Sequence, residues 1–345
     1  MSISEIFGVD LPIIQAPMAG VQGSNLALAV AKAGGLGSLP CAMLNEAQLT
    51  SELEAIQQQG NPPINLNFFC HSPPPTDHAS NNRWLDRLTP YFNEFDVDPG
   101  KVPSGSSRKP FSDTIADIIE PYQPRVISFH FGLPSRALLQ RIKSWGTKVL
   151  SSATTVAEAQ WLEQHGVDAV IAQGLEAGGH RGMFLSTDLD TQMGTLTLLP
   201  QIVDAVSVPV IAAGGIVDKR SVRAAMDLGA NAIQAGTAYL LCPESSTSEL
   251  HRDAIKHTRA RETVLTNVFS GRPARGIVNR AIAELGPMCR EAPAFPLAGN
   301  AMGLLRSAAE ARQESDFSPL WCGENASACQ EISAAAVTRQ LAEGL

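Results

Sequence analysis

VPVIAAGGIVDKRSVRAAMDLGANAIQAGTA, residues 208–238, contains one complete structural unit. VPVIAAGG (208–215) is a short apolar run rich in Val and Ile that ends on two glycines. DKRSVRAAMDLG (218–229) has apolar residues recurring at three and four and stops on glycine, as an amphipathic helix does. NAIQAGTA (231–238) is a second apolar run closing on Ala-Gly-Thr. Strand, helix and strand in so short a span specify a βαβ unit with parallel strands.

Worked outward, the same rhythm covers most of the first 240 residues. Further candidate strands are PIIQAPM (12–18), GLGSLP (35–40), PINLNFF (63–69), RVISFHF (125–131), TKVLSSA (147–153) and DAVIAQG (168–174), which brings the total to eight. Helical patterns such as SNLALAVAKAGG, EAQLTSELEAIQQQG, SRALLQRIKSWG, TVAEAQWLEQHG and LLPQIVDAV lie between them. Eight strands alternating with helices specify an α/β fold of the (β/α)8 TIM barrel type, with catalytic groups at the C-terminal ends of the strands. A doubly wound open sheet is the alternative, because periodicity does not distinguish closure from an open edge.

Two regions break the rhythm. Residues 71–110 are rich in Pro, Ser and Asn and read as an excursion after strand three, too polar for a core element. After residue 242 the alternation stops, and helical patterns at roughly 246–260 and 299–313 flank ETVLTNVFSGRPARGIVNR. The expected organisation is a barrel over 1–242, a smaller, mainly helical domain over its mouth at 243–320, and a tail at 321–345 that returns to the barrel or stays peripheral.

Composition narrows the function. Among 345 residues, 26 basic and 34 acidic side chains give a formal charge of −8, which argues against nucleic acid or an anionic membrane as partner. Six cysteines form no CxxC pair and no zinc-like spacing, so they read as reduced, mostly buried thiols and no metal is expected. The start, MSISEIFGVDLPIIQ, lacks a secretion signal, and no apolar run reaches spanning length, so a cytoplasmic protein is expected.

The strand ends look chemical rather than merely apolar: Ala16-Pro17-Met18, Asn67, His130, Gln173 leading to Gly178, Gly179 and His180, then Gly214-Gly215, then Gln234-Ala235-Gly236-Thr237. Glycine-rich loops after strands seven and eight of a barrel commonly hold a phosphate through backbone N–H groups. With no GxxxxGK[ST] and no complete GxGxxG, a nucleoside triphosphate or a Rossmann-bound dinucleotide is disfavoured. FMN, with one phosphate and a ring lying across the barrel mouth, suits the pattern. Taken singly, Asn67 reads equally as a turn residue, His130 between Phe129 and Phe131 as a core histidine, and Met18 as packing. The carboxylates show no acid/base pair, and no GxSxG elbow occurs.

QAPMAG (15–20), INLNFF (64–69), SFHFG (128–132), QGLEAGGHRG (173–182), AAGGI (212–216), QAGTAYL (234–240) and FSGRPARGI (269–277) together resemble the nitronate monooxygenases, formerly called 2-nitropropane dioxygenases. AAGGI and QAGT recur in several FMN barrels, whereas SFHFG joined to EAGGHRG is far more selective. The resemblance spans about residues 11–280. It implies non-covalent FMN, with alkyl nitronates such as propionate 3-nitronate oxidised by O2 to carbonyl compounds and nitrite, in a monomer or homodimer. It also implies flavin contacts from Ala16, Pro17, Met18, Asn67, Gln173, Gly178 and Gly179, and a phosphate cradle from Gly214, Gly215 and the run Gln234, Ala235, Gly236, Thr237. His180 matches the histidine near the flavin ring and His130 a second active-site histidine. Glu176 and Arg181 are assigned to fixing the loop. The alternatives are an FMN-dependent NAD(P)H reductase of quinones or enoyl thioesters, a barrel related to IMP dehydrogenase, and a non-catalytic phosphate-binding module.

Overall fold

A computed structural model describes residues 3–75, 77–105, 108–257 and 262–345. Chain order gives the strands β1 (Ile13–Gln15), β2 (Gly37–Pro40), β3 (Ile64–Phe69), β4 (Val126–His130), β5 (Lys148–Ala153), β6 (Ala169–Gln173), the two-residue β7 (Gly179–His180), β8 (Val210–Ala213), β9 (Ala232–Ala235), β10 (Thr263–Thr266) and β11 (Ala274–Ile277). All but β7, β10 and β11 form one parallel sheet ordered β1-β9-β8-β6-β5-β4-β3-β2. The two ends of this sheet meet: Ile14 bridges to Leu36 in parallel register, with Leu36 N–H donating to Ile13 O at 2.8 Å and Gln15 N–H to Leu36 O at 2.9 Å. The sheet is therefore a closed (β/α)8 barrel, and the open-sheet alternative is set aside.

Alternation along the strands decides what each face does. Ile64, Leu66, Phe68, Ile127, Phe129, Val149, Val170, Val210 and Ile233 join the core shared with the surrounding helices. Ile14, Leu36, Val126, Leu150, Ala169, Ile171, Ile211 and Ala232 pack inside the barrel with Ile3 and Phe7 of the short helix Ile3–Phe7. The positions nearer the strand C-termini are polar instead: Asn67, Ser128, His130, Ser152, Gln173 and Gln234 line a cavity at that end. One end of the barrel is thus an apolar plug and the other a chemical surface.

The eighth helical position is filled from the far end of the chain. Helix Ala334–Ala342 packs against β1 and against helices Ser24–Lys32 and Lys219–Asp227, so the tail returns to the barrel. Its Thr338 hydroxyl meets the buried Tyr239 hydroxyl at 3.0 Å.

A second core lies beyond the barrel. Helix His78–Glu94 buries Trp84, Leu88, Tyr91 and Phe92 against Val268, Phe269, Met302, Leu305 and Phe317. Residues 71–110 were expected to be too polar for a core element; the structure corrects this. Trp84, Leu88, Tyr91 and Phe92 stand at positions i, i+4, i+7 and i+8, a helical stripe that the average polarity conceals. Trp84 Nε1 also donates to Ala298 O at 3.3 Å, at the start of helix Ala298–Ala311. The region after 242 is not only helical: β10 and β11 pair antiparallel, and β11 pairs with β7. The helical pattern expected over 246–260 is observed as Glu249–Lys256, and its last three positions lie outside the described residues. All six cysteines are free, four of them buried. Among the described residues no helix is long and apolar enough to cross a membrane, and no group of His, Cys, Asp and Glu could hold a metal ion.

Candidate active site

The cavity at the strand C-termini gathers Ala16, Pro17, Met18, Asn67, His130, Gln173, Gly178, Gly179, His180, Gly214, Gly215, Gln234, Gly236 and Thr237. Ala235 is the exception: its side chain, 1% exposed, packs outward in the helix-facing core, and its carbonyl accepts from Ala16 N–H at 2.8 Å. Strand alternation explains this placement of the side chain, since Gln234 faces inward and its neighbour must face out.

The loop after β6 is held by buried polar bonds. Gln173 donates through Nε2 to His180 O at 3.0 Å and accepts Gly182 N–H on Oε1 at 2.7 Å. Arg181, fully buried, donates to Gly174 O at 2.6 Å, Gln173 O at 2.7 Å and Gln192 Oε1 at 3.0 Å, so its charge is absorbed by the loop's own carbonyls. Burial lowers its pKa to about 10, which leaves it cationic at neutral pH. Glu176 accepts Thr195 N–H and the Thr195 hydroxyl, both at 2.8 Å on Oε2. From the other side, β11 pairs Ala274 with His180 and Arg275 with Gly179. A Cβ at Gly178 would lie 2.6 Å from Gly323 N, so only glycine fits between this loop and the tail.

His130 has both ring nitrogens engaged. Nε2 lies 3.1 Å from His180 O, which can only accept, so Nε2 carries the proton and Nδ1 accepts from the Ser152 hydroxyl at 3.0 Å. Burial lowers its pKa to about 4, so the ring is neutral. These bonds make His130 a support for the His180 backbone. The next residue, Phe131, has φ +70°, uncommon for a bulky side chain and held here by Arg272, whose guanidinium stacks 4.0 Å from the ring centroid.

His180 is anchored through Nε2 to the Ser270 hydroxyl at 2.8 Å, and its ring lies against Phe69, Phe131, Phe295 and Trp321 at centroid distances of 5.4 to 6.3 Å. Its pKa is held well below the ordinary value, first by burial and then by the charge of Arg108. The imidazole is therefore a neutral acceptor or donor at pH 7, able to take a proton but carrying no charge of its own.

Sequence reasoning missed Phe69, Arg108, Ser128, Ser152, Trp321, Gly323 and Asn325, which also line the cavity. Period-two alternation would have found Phe69, Ser128 and Ser152, since each lies two residues from a neighbour on the same face or at a strand end. Arg108 and the 321–325 segment come from irregular chain, where no periodicity marks them.

A family model described as nitronate monooxygenase matches residues 1–344. The chain is 41% identical over 344 residues to the nitronate monooxygenase of Pseudomonas aeruginosa, covering 99% of this chain and 98% of that protein. Among solved structures, it is similar to a nitroalkane oxidase from Streptomyces ansochromogenes, with a TM-score of 0.90, 35% identity and coverage of 99% and 97% of the two chains. FabK from Thermotoga maritima is more distant, with a TM-score of 0.74, 25% identity and coverage of 99% and 94%. Full-length matches at these identities, on a barrel that presents SFHFG and EAGGH at one cavity, establish that the chain belongs to the nitronate monooxygenase family.

Proposed function

We propose that this protein binds FMN at the barrel mouth and oxidises alkyl nitronates with O2 to carbonyl compounds and nitrite. The observation that carries the reading is a neutral His180 held over the cavity by β11, by Ser270 and by the two side chains that clamp its carbonyl.

The residues present fit a flavin. Gln234 keeps a buried side-chain oxygen with no hydrogen-bond partner among the described residues, on the cavity wall. A Cβ at Gly179, where φ is +73°, would meet nothing within 4 Å, so the backbone there is bare toward open space. The 3-10 helix Thr237–Tyr239 begins at Gly236 with no side-chain cap, which leaves its first amides available to a phosphate together with the Gly214-Gly215 turn. Asn67, Gln234 and the glycines would hold the cofactor, and Asn325, which donates to Gly215 O at 3.2 Å, would brace the phosphate turn. When bound, FMN supplies the redox capacity that no side chain here provides.

The chain's own residues supply position and proton handling. Phe69, Phe131, Phe295 and Trp321 exclude water around His180, and Ser270 fixes the ring's orientation. For a nitronate, His180 orients the nitro oxygens by hydrogen bonding; for a neutral nitroalkane, the same imidazole would accept the α-proton. The test is oxygen uptake by the flavin-loaded protein given propionate 3-nitronate, with no NADH or NADPH present. Rapid uptake with nitrite formation is expected. Absence of uptake, with fast flavin reduction by NADPH, would replace this reading by a reductase.

A further inference from the structure

The stretch FSGRPARGI (269–277) holds His180 twice. Ala274 of β11 pairs with the His180 backbone, and the Ser270 hydroxyl lies 2.8 Å from Nε2 of the His180 ring. Ser270 is 1% exposed and sits in a tight turn, where Ser270 N–H and Gly271 N–H both donate to Asn267 O, at 3.2 and 2.7 Å. A Cβ at Gly271, where φ is +86°, would lie 2.1 Å from Pro293 O, so the turn is packed without slack.

Counting hydrogens at Ser270 places the proton on His180. A hydroxyl has one hydrogen to give and two lone pairs. Three groups surround this one: Arg272 N–H at 3.4 Å, which can only donate, Arg272 O at 3.2 Å, which can only accept, and Nε2 at 2.8 Å, which can do either. All three are satisfied in one way: the hydroxyl donates to Arg272 O, and Nε2–H donates to the hydroxyl. The opposite tautomer leaves Arg272 O without a donor among the described residues. Nδ1 then carries the lone pair; it has no partner among the described residues and is not sealed in protein. The rival bases on the wall are less able. His251 keeps an unpaired Nε2 that is closed off, and the one carboxylate among the described lining residues, Glu176, is taken by Thr195.

Resting on the nitronate reading, we propose that Ser270 is a positioning residue that sets the tautomer of His180, so that Nδ1 acts as the base toward neutral nitroalkanes. In that step the α C–H bond breaks, its electron pair stays on the carbon as the nitronate, and the proton forms an N–H bond at Nδ1. The resulting imidazolium keeps Nε2–H on the Ser270 hydroxyl, a charge-assisted bond stronger than the neutral one it replaces. The titratable groups that act on the ring, Arg108, His130, Arg272 and His71, are all basic and give the new charge no counter-ion, so this bond is its support. A nitronate has already lost its α-proton and asks of the ring orientation alone.

Nitrogen-15 NMR of the flavin-loaded protein with labelled histidine reads the tautomer without turnover, the His180 signals being identified by their loss in His180→Gln. A protonated Nε2 and a bare Nδ1 are expected; the reverse tautomer would overturn the proposal. Ser270→Ala should give a mixture of the two tautomers. It should also lower kcat with nitroethane about 10- to 100-fold, the worth of a hydrogen bond to a charged group, and kcat with ethyl nitronate about tenfold less. Ser270→Thr, which keeps the hydroxyl, should restore the single tautomer and bring the nitroethane rate to within about fivefold of the unmodified protein. Equal losses on the two substrates in Ser270→Ala, or an unmixed Nε2–H tautomer in that variant, would mean that Ser270 only supports the loop, and would overturn the proposal. So would an unmodified protein that oxidises ethyl nitronate yet takes up no oxygen with nitroethane. If Ser270→Ala fails to fold or sheds its flavin, the tautomer and the nitroethane rate of the unmodified protein decide. Absence of uptake with every nitronate would sink the nitronate reading, while the NMR signals would still report which nitrogen Ser270 holds protonated.

Discussion

An imidazole enclosed by Phe69, Phe131, Phe295 and Trp321, with Arg108 and Arg272 within electrostatic reach, stays neutral where an exposed histidine would be half protonated. His180→Ala should therefore retain flavin, because the loop is held by Gln173, Arg181 and Glu176, while turnover falls about 10²- to 10⁴-fold, the range for loss of a positioned acid or base. Full turnover in that variant, measured by oxygen uptake, would remove His180 from the mechanism. The pH dependence has a definite sign: the folded-state pKa is depressed, so the neutral form persists as pH falls through 6.5 and is lost only in more acid solution. The two histidines were legible in the sequence as members of SFHFG and EAGGH, but their division of labour was not. Only the distances reveal that His130 uses one nitrogen on His180 O and the other on Ser152, whereas His180 is tied through a single nitrogen to Ser270.

At the level of elements, all eight barrel strands lie within the sequence windows assigned to them, because short apolar runs alternating with helical patterns that mostly stop on glycine carry a strong signal. What escaped was irregular or masked by composition. β10 and β11 hold Thr, Arg and Gly, and β11 finds its second partner, beside β10, in a two-residue strand that no periodicity can announce. The final helix, Ala334–Ala342, is nearly as important to the barrel as any crossover helix, since Val337, Thr338 and Leu341 are buried there. Leu341→Ala should cost about 2–5 kcal/mol, the usual range for truncating a buried leucine, and lower the urea midpoint by a corresponding amount. A midpoint matching that of the unmodified protein would mean that this helix is an accessory rather than part of the wall.

For the molecule as a whole, buried histidines make stability pH-dependent on the acid side. His130 and His251 have their pKa values lowered to about 4, and His180 is lowered as well, in each case chiefly by burial. Above pH 6.5 these groups are neutral in both folded and unfolded chains and contribute no slope. As pH falls from 6.5 toward 4, the unfolded chain takes up protons that the folded one refuses, so stability drops by about 1.4 kcal/mol per pH unit for each imidazole. Urea unfolding at pH 7.5 and 5.0 should show a clear loss at the lower pH; equal midpoints would show that these imidazoles accept protons in place.

The helix that completes the barrel wall also sets a timetable for synthesis. The last barrel strand, β9, ends at Ala235, but the helix that packs on its neighbour β1 begins at Ala334. At about 5–20 residues per second, a ribosome needs roughly 5–20 s to make the intervening chain. During that interval the nascent protein holds Ile13 of β1, destined to be fully buried, beside a vacant helix position. Emergence of Ala334–Ala342 is then what seals the barrel, and until it docks the apolar seam stays open to chaperones and to other chains.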